Sequence, residues 1–271
     1  MKNKLTLLVL LLSLCSTSPA LSMSTPPQDP IHALQAKVEI ELHSMDLDLS
    51  QAASDLAGQD LTGSQANAAL LTLYQAHKSI VDVATIDPDG TLLLIQPAQY
   101  RDSIGQNISG QAHFMQLRNS NGPVMSNLFK AVEGFHAVSL AYPVLAADRL
   151  EKAGYISLVF QPQALVHKAA EAAGLSQGNF EIMAIQDDGR IIYDKDPLQV
   201  GKMTFSDPLY QKYPSLLKLA KRIIDEGSGS GVYEFPAQGG TVAVKKEAVW
   251  TTVNVRSATW RLVVAKEISD Q

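Results

Sequence analysis

The turn Asp87-Pro88-Asp89-Gly90 and the turn Gln186-Asp187-Asp188-Gly189 occupy the same place in two copies of one pattern, with their glycines 99 residues apart. Each turn joins two stretches of period-two hydrophobicity. Ile80 to Ile86 runs into Leu92 to Ile95, and Phe180 to Ile185 runs into Arg190 to Tyr193. Asp and Pro open such turns and Gly supplies the positive φ, so both are hairpins. Ile104-Gly105 then matches Val200-Gly201 at an offset of 96, and Tyr155 matches Trp260 at an offset of 105, each opening a closing strand. Three landmarks at nearly one spacing predict two copies of one unit, each a mostly antiparallel sheet with helices on it. The fold class expected is therefore α+β.

Ahead of the first copy the period changes. Ile31, Leu34, Val38, Leu42, Met45, Leu49, Ala53 and Leu56 step by three or four residues, one face of a long amphipathic helix. Pro30 suits its first turn and Gly58 its end. A second helix is expected over residues 64–77, with Ser64 as its N-cap. His32, His43 and His77 lie on these helices without metal-like i, i+4 pairing, so they read as surface or helix-end residues. Further helices are expected over residues 163–173 and 214–226. The Gly227 to Gly231 run reads as a flexible loop, and residues 241–245 and 249–255 as separate strands.

Residues 1–22 read as an export signal, with Lys2 and Lys4 before an apolar run from Leu5 to Leu14 and small residues at Ala20 and Ser22. A second processing route exists: Leu12-Ser13-Leu14-Cys15 resembles a bacterial lipoprotein box, with Cys15 as the lipidated residue, although Leu14 departs from the small residue that box carries. Residues 23–30 are a linker. The expected domains are helices over 31–80, a first unit over 81–173 and a second over 174–271. Cys15 is the single cysteine, so an internal disulfide, a thiolate metal cluster and cysteine catalysis are excluded. Net charge is −5, unfavourable for nucleic acid or an anionic membrane. No later window approaches a membrane span.

The ordered series resembles the double Cache family, extracytoplasmic sensor domains with two PAS-like units on a long N-terminal helix. The first unit carries IDPDGTLLLIQP, YRDSIGQNISGQAHF, PVMSNLF, AVSLAYPVL and GYISLVF. The second carries QDDGRIIYDKDPLQVGKMTFSDP, GSGSGVYEF, GGTVAV and ATWRLVVAKEI. The likeness covers about residues 31–268. It implies a small-molecule pocket in the first, membrane-distal unit, no cofactor and no catalysis. Many members have an arginine where this chain has Gln111, and that arginine holds the ligand carboxylate in amino-acid binders. The resemblance therefore implies a small organic acid or other polar metabolite instead.

Candidate ligand-binding residues are Tyr100, Arg101, His113, Phe114, Arg118, Ser126, Asn127, Ser139 and Tyr142. A pocket needs a few convergent polar groups on an apolar wall. Arg101 or Arg118 could fork onto a carboxylate, and His113, if protonated, would make anion binding weaken as pH rises. Phe114 and Tyr142 would be walls, with Ser139 and Tyr142 on the strand forming the floor. Tyr193, Lys202, Phe205, Tyr210 and Tyr213 of the second unit, and His136, read as packing residues. Gly-x-Ser-x-Gly and His-Glu-x-x-His motifs are missing, and Asp187 and Asp188 read as turn caps, so an enzyme is not expected. The function expected is an exported sensor-type binding protein, outside the cytoplasmic membrane, signalling through a separate membrane receptor or kinase. The alternative is an envelope interaction module that binds no ligand.

Overall fold

The computed structural model describes residues 29–131, 134–148, 151–176, 179–237 and 240–268. The expected leader, Cys15 and most of the linker lie outside the described residues. The chain opens with α1 (Pro30–Asp55), 26 residues long, with Asp29 accepting from the Ile31 amide at 3.3 Å. All eight apolar positions of the sequence stripe, Ile31 through Leu56, are buried. Helix α2 (Ser64–Ala76) starts one residue differently from expectation. Gly63 is the N-cap, because the Asp60 side chain binds the Thr62 amide and turns the chain before Ser64 enters the helix.

The first sheet follows: β1 (Ile80–Ile86), β2 (Leu92–Gln96), α3 (Ala112–Asn119), the short β3 (Val124–Met125) and β4 (Phe129–Lys130), then β5 (His136–Leu145) and β6 (Lys152–Phe160). Helix α4 (Pro162–Ala172) leads to β7 (Phe180–Gln186), β8 (Ile191–Asp194), α5 (Pro214–Asp225), β9 (Gly229–Pro236), β10 (Ala243–Val255) and β11 (Ala258–Glu267). The orders are β2-β1-β6-β5-β3 and β8-β7-β11-β10-β9, with every pairing antiparallel. These are the same topology twice.

The repeat holds at the level of single hydrogen bonds. The Gly105 amide donates to Leu92 O at 2.8 Å and the Gly201 amide to Ile191 O at 2.8 Å. The offset of 99 makes Ile86 equivalent to Ile185, and these pair with Tyr155 and Arg261. The expected match of Tyr155 to Trp260 is therefore one residue out of register, and the two rings lie on opposite faces of their sheets. Gly90 and Gly189 have φ of +92° and +85°. Space is short at both: a Cβ would meet the Ser109 backbone at 2.9 Å and the Phe114 ring at 3.0 Å at Gly90, and the Phe205 ring at 2.6 Å at Gly189. The two turns thus need glycine for conformation and for space.

Two sequence readings are corrected in the second sheet. Residues 243–245 and 249–255 belong to one 13-residue strand, β10, which begins at Ala243, two residues later than expected. The strand runs unbroken through Lys246, which is buried and paired with Glu181. The Gly227 to Gly231 run is not all loop, since β9 begins at Gly229. Gly229 is a glycine because the Trp250 ring occupies the place of a Cβ, which would come within 2.4 Å of it.

Helix α1 packs on β5 and β6 of the first sheet and on β10 and β11 of the second. One continuous core joins the helix to both units, from Leu34 and Met45 through Val138 and Phe160 to Trp260. Burying side chains of this size contributes about 1.5–3 kcal/mol each. The helix is a shared spine, and each sheet's other face is left for α3 and the connecting loops or for α5.

Candidate functional site

On the face of the first sheet away from α1 lies a cleft of about 500 Å³. Its floor is the sheet itself, with Ala84, Ile95, Ser157 and Val159 pointing up from alternate positions. One rim is the 3-10 turn Ala98–Ser103, which contributes Tyr100 and Ser103. Another is the start of α3, with Gln111, His113 and Gln116. The last is the 126–131 segment, with Asn127, Phe129 and Lys130. The walls carry one acid, Asp82, and one strong base, Lys130, among amides, hydroxyls and apolar groups.

Four of the nine sequence candidates meet here: Tyr100, His113, Ser126 and Asn127. The ring of His113 stacks on Phe129, with centroids 4.6 Å apart at 21°. Burial lowers its pKa from 6.5, so at neutral pH the ring is uncharged and supplies no cation. The Ser126 hydroxyl donates to Asn127 O at 2.9 Å and accepts from the Ser139 amide at 2.9 Å. It therefore shapes the rim first, and only its second lone pair faces a guest.

Phe114 and Ser139 sit beneath the cleft. Phe114 is fully buried and meets Tyr155 edge-on at 5.4 Å. It is a core residue that supports α3. Ser139 shares a 2.9 Å hydrogen bond with Ser157. Together with His113, Phe114 and Ser126 it lines a much smaller hollow of about 10 Å³ adjoining the cleft.

Arg101, Arg118 and Tyr142 are not brought to the cleft. Arg101 is exposed on its 3-10 turn. Arg118 is exposed in the last turn of α3, and its carbonyl accepts from Lys152 Nζ at 3.2 Å. Tyr142 belongs to the opposite sheet face. Side chains alternate along β5, so Ser139 and Ala141 face the ligand side while Tyr142 faces α1. Its hydroxyl donates to Asp46 Oδ1 at 2.7 Å, and burial raises its pKa to about 12.

Sequence reasoning did not single out Gln111 as a wall residue in its own right, nor Gln116, Lys130 or Gln186. Gln111 entered only as a replaced arginine. Gln186 lies in the second unit, where its amide holds the cleft rim by bonds to Asn127 Oδ1 and the Leu128 amide, both 2.9 Å. A lone glutamine ending a strand carries no sequence signal for such a contact.

Residues 40–162 match the family model described as HK/GC/chemotaxis protein-like, sensor domain. No curated protein sequence matches significantly. Among solved structures, the chain is similar to an extracellular ligand binding receptor from Desulfohalobium retbaense, at 26% identity and a TM-score of 0.72. That likeness covers 88% of this chain and 39% of the receptor, so the chain spans well under half of it. It is also similar to the ligand binding domain of a Pseudomonas aeruginosa amino acid chemoreceptor in complex with GABA, at 15% identity and a TM-score of 0.57, covering 87% of this chain and 96% of that one. A second Pseudomonas aeruginosa amino acid chemoreceptor domain, in complex with L-Arg, matches at 15% and 0.60, covering 88% and 92%. The chain has the double Cache fold of extracellular ligand-binding sensor domains, with both PAS-like units present. Among the described residues no helix is long and apolar enough to cross a membrane.

Proposed function

We propose that this chain is an exported, sensor-type binding protein that holds a small polar metabolite in the cleft of its first unit. The observation that carries this reading is the cleft itself, about 500 Å³ with an apolar sheet floor and polar side chains converging from three rims. A carboxylate on the ligand would face Lys130, the strong base among the lining residues. Gln111, Gln116, Asn127 and Tyr100 would supply neutral hydrogen bonds, which suits a small organic acid or amide better than a highly charged molecule. Arg101 and Arg118, exposed elsewhere, are not needed. The chain would act outside the cytoplasmic membrane and signal, if it does, through a separate membrane receptor or kinase.

Thermal shift against small carboxylates, amides, amino acids and amines tests it. A true ligand at 100 times its Kd stabilises the protein by about 2.7 kcal/mol. Gln111→Ala and Lys130→Ala, both at the rim, are expected to reduce that shift without lowering the melting temperature of the free protein. An unshifted melt across the whole panel would favour the interaction-module reading instead.

A further inference from the structure

The second unit has a cavity of its own, about 200 Å³, between the outer face of its sheet and α5. It lies on the sheet face that corresponds to the cleft face of the first unit. Its walls are mainly apolar, with Met183, Ile185, Leu219, Ile223 and Val263 among them. Cavities of about 150 Å³ with such walls take a benzene ring. Two features mark it as more than a packing defect. Thr204 lines it and is 4% exposed, yet its Oγ1 has no hydrogen-bond partner among the described residues. A buried hydroxyl left without a partner is unfavourable, and a guest's polar group would supply the missing hydrogen bond. Asp194, at the end of β8, also lines the cavity.

The charges of the wall decide the sign of the guest. Lys246 spends its three donors on Glu181 Oε1 and Oε2, both at 2.6 Å, and on Pro236 O at 2.9 Å. Lys195 is exposed. Of the two bases only Lys195 lines the cavity, against Glu181, Asp194 and Asp196, so the lining has a surplus of two carboxylates, of which Glu181 is paired with Lys246. Asp196 is occupied in capping the Leu198 amide and in accepting from Gln199. Asp194 accepts one backbone amide, from Asp196 at 2.8 Å, which leaves a carboxylate with further lone pairs beside an apolar space.

We propose that this cavity binds a small amphipathic amine, its ammonium against Asp194 and Thr204 and its hydrocarbon body among Met183, Ile185, Leu219 and Val263. The site is separate from the first-unit cleft, so the chain carries two ligand positions of different chemistry. Burial pushes the Asp194 carboxyl up to about 7, the state of a buried acid that a cationic partner would restore to its ionised form.

Isothermal titration of the whole chain at pH 7.5 with 2-phenylethylamine, 2-phenylethanol and 3-phenylpropionate tests the proposal. The amine is expected to bind tightest and the acid weakest. Asp194→Asn should weaken the amine about tenfold or more while leaving the alcohol unchanged, since only a charge-assisted bond is lost. Thr204→Val, which deletes the orphan hydroxyl without loss of volume, should weaken the amine by a smaller factor and leave the fold intact. Failure of the amine to bind at millimolar concentration, tighter binding of the acid, or equal amine affinity in Asp194→Asn and the parent would each overturn it.

Discussion

Gln186, the last residue of β7 in the second unit, is hydrogen-bonded through both ends of its amide to the rim of the first-unit cleft, giving Nε2–H to Asn127 Oδ1 and taking the Leu128 amide on Oε1, each at 2.9 Å. Gln186 is 1% exposed, so both bonds are sheltered from water. The segment that closes the cleft is therefore held in place by the other unit. Gln186→Ala is expected to cost about 1–3 kcal/mol in urea unfolding, because the Leu128 amide is left buried and unpaired. It should also weaken any ligand held by Asn127. An unchanged midpoint would show that water replaces the lost amide.

A second joint ties the helix to both sheets. Arg256, at φ 53° in the turn between β10 and β11, forks onto both oxygens of Asp46 in α1 at 2.7 Å, and Tyr142 of the first sheet joins the same carboxylate. Asp46 is buried while Arg256 is partly exposed. Arg256→Ala should cost about 2 kcal/mol, less than the full penalty for breaking a buried pair. Tyr142→Phe should cost about 1 kcal/mol. Ligand affinity in Tyr142→Phe should equal that of the parent, since the ring is on the helix side of the sheet. A large loss of affinity would return Tyr142 to the site.

The Lys246–Glu181 pair gives an asymmetric expectation. Lys246 is 1% exposed and Glu181 is 31% exposed. Glu181→Ala strands a buried ammonium and should cost about 2–3 kcal/mol, discounted for the solvent that reaches Glu181. Lys246→Met keeps the volume, and the remaining carboxylate can hydrate, so its cost should be the smaller of the two. Guanidinium melts of both variants check the order.

Asp194 makes stability fall as pH rises. Its folded pKa is raised to about 7 from 3.8, chiefly by burial. Between those values the folded chain holds a proton that the unfolded chain has released, so the stability present at pH 4 is lost as pH climbs through 7. Asp194→Asn removes that dependence. At pH 8 it should be the more stable protein by on the order of 2 kcal/mol, discounted because part of the carboxylate reaches solvent, and the gap should close near pH 4.

His113 works in the opposite sense. Burial lowers its folded pKa below 6.5, so the unfolded chain binds the proton more readily. Its contribution is complete above pH 6.5 and shrinks as pH falls below that value. His113→Gln should flatten the acid limb of the stability curve. Between pH 7 and 8 it should leave the pH profile of ligand binding unchanged, because the ring is already neutral there. A binding profile that steepens with His113 present would show a protonated ring in the complex.

Local chemistry in the sequence was enough for the elements and for their doubling. The apolar stripe of α1 and the Asp-Gly turns at Gly90 and Gly189 are set by neighbours within a few residues, and the structure keeps each of them, whereas the match of Tyr155 to Trp260 falls one residue out of register. Where β10 would run through Lys246 was not legible, because its neutralising partner Glu181 is 65 residues away. The same holds for the sites. Tyr100, His113, Ser126 and Asn127 converge on the cleft from three elements, whereas Arg101, Arg118 and Tyr142 do not, although their residue types were as suitable. Strand alternation turned Tyr142 to the helix, and exposed turns carried the arginines outward. The second cavity had no signature at all, since Thr204 and Asp194 become a site only when α5 closes over the sheet. Residue type and spacing decide local conformation. Which side chains share a desolvated space depends on contacts between distant segments, and only the folded chain supplies those.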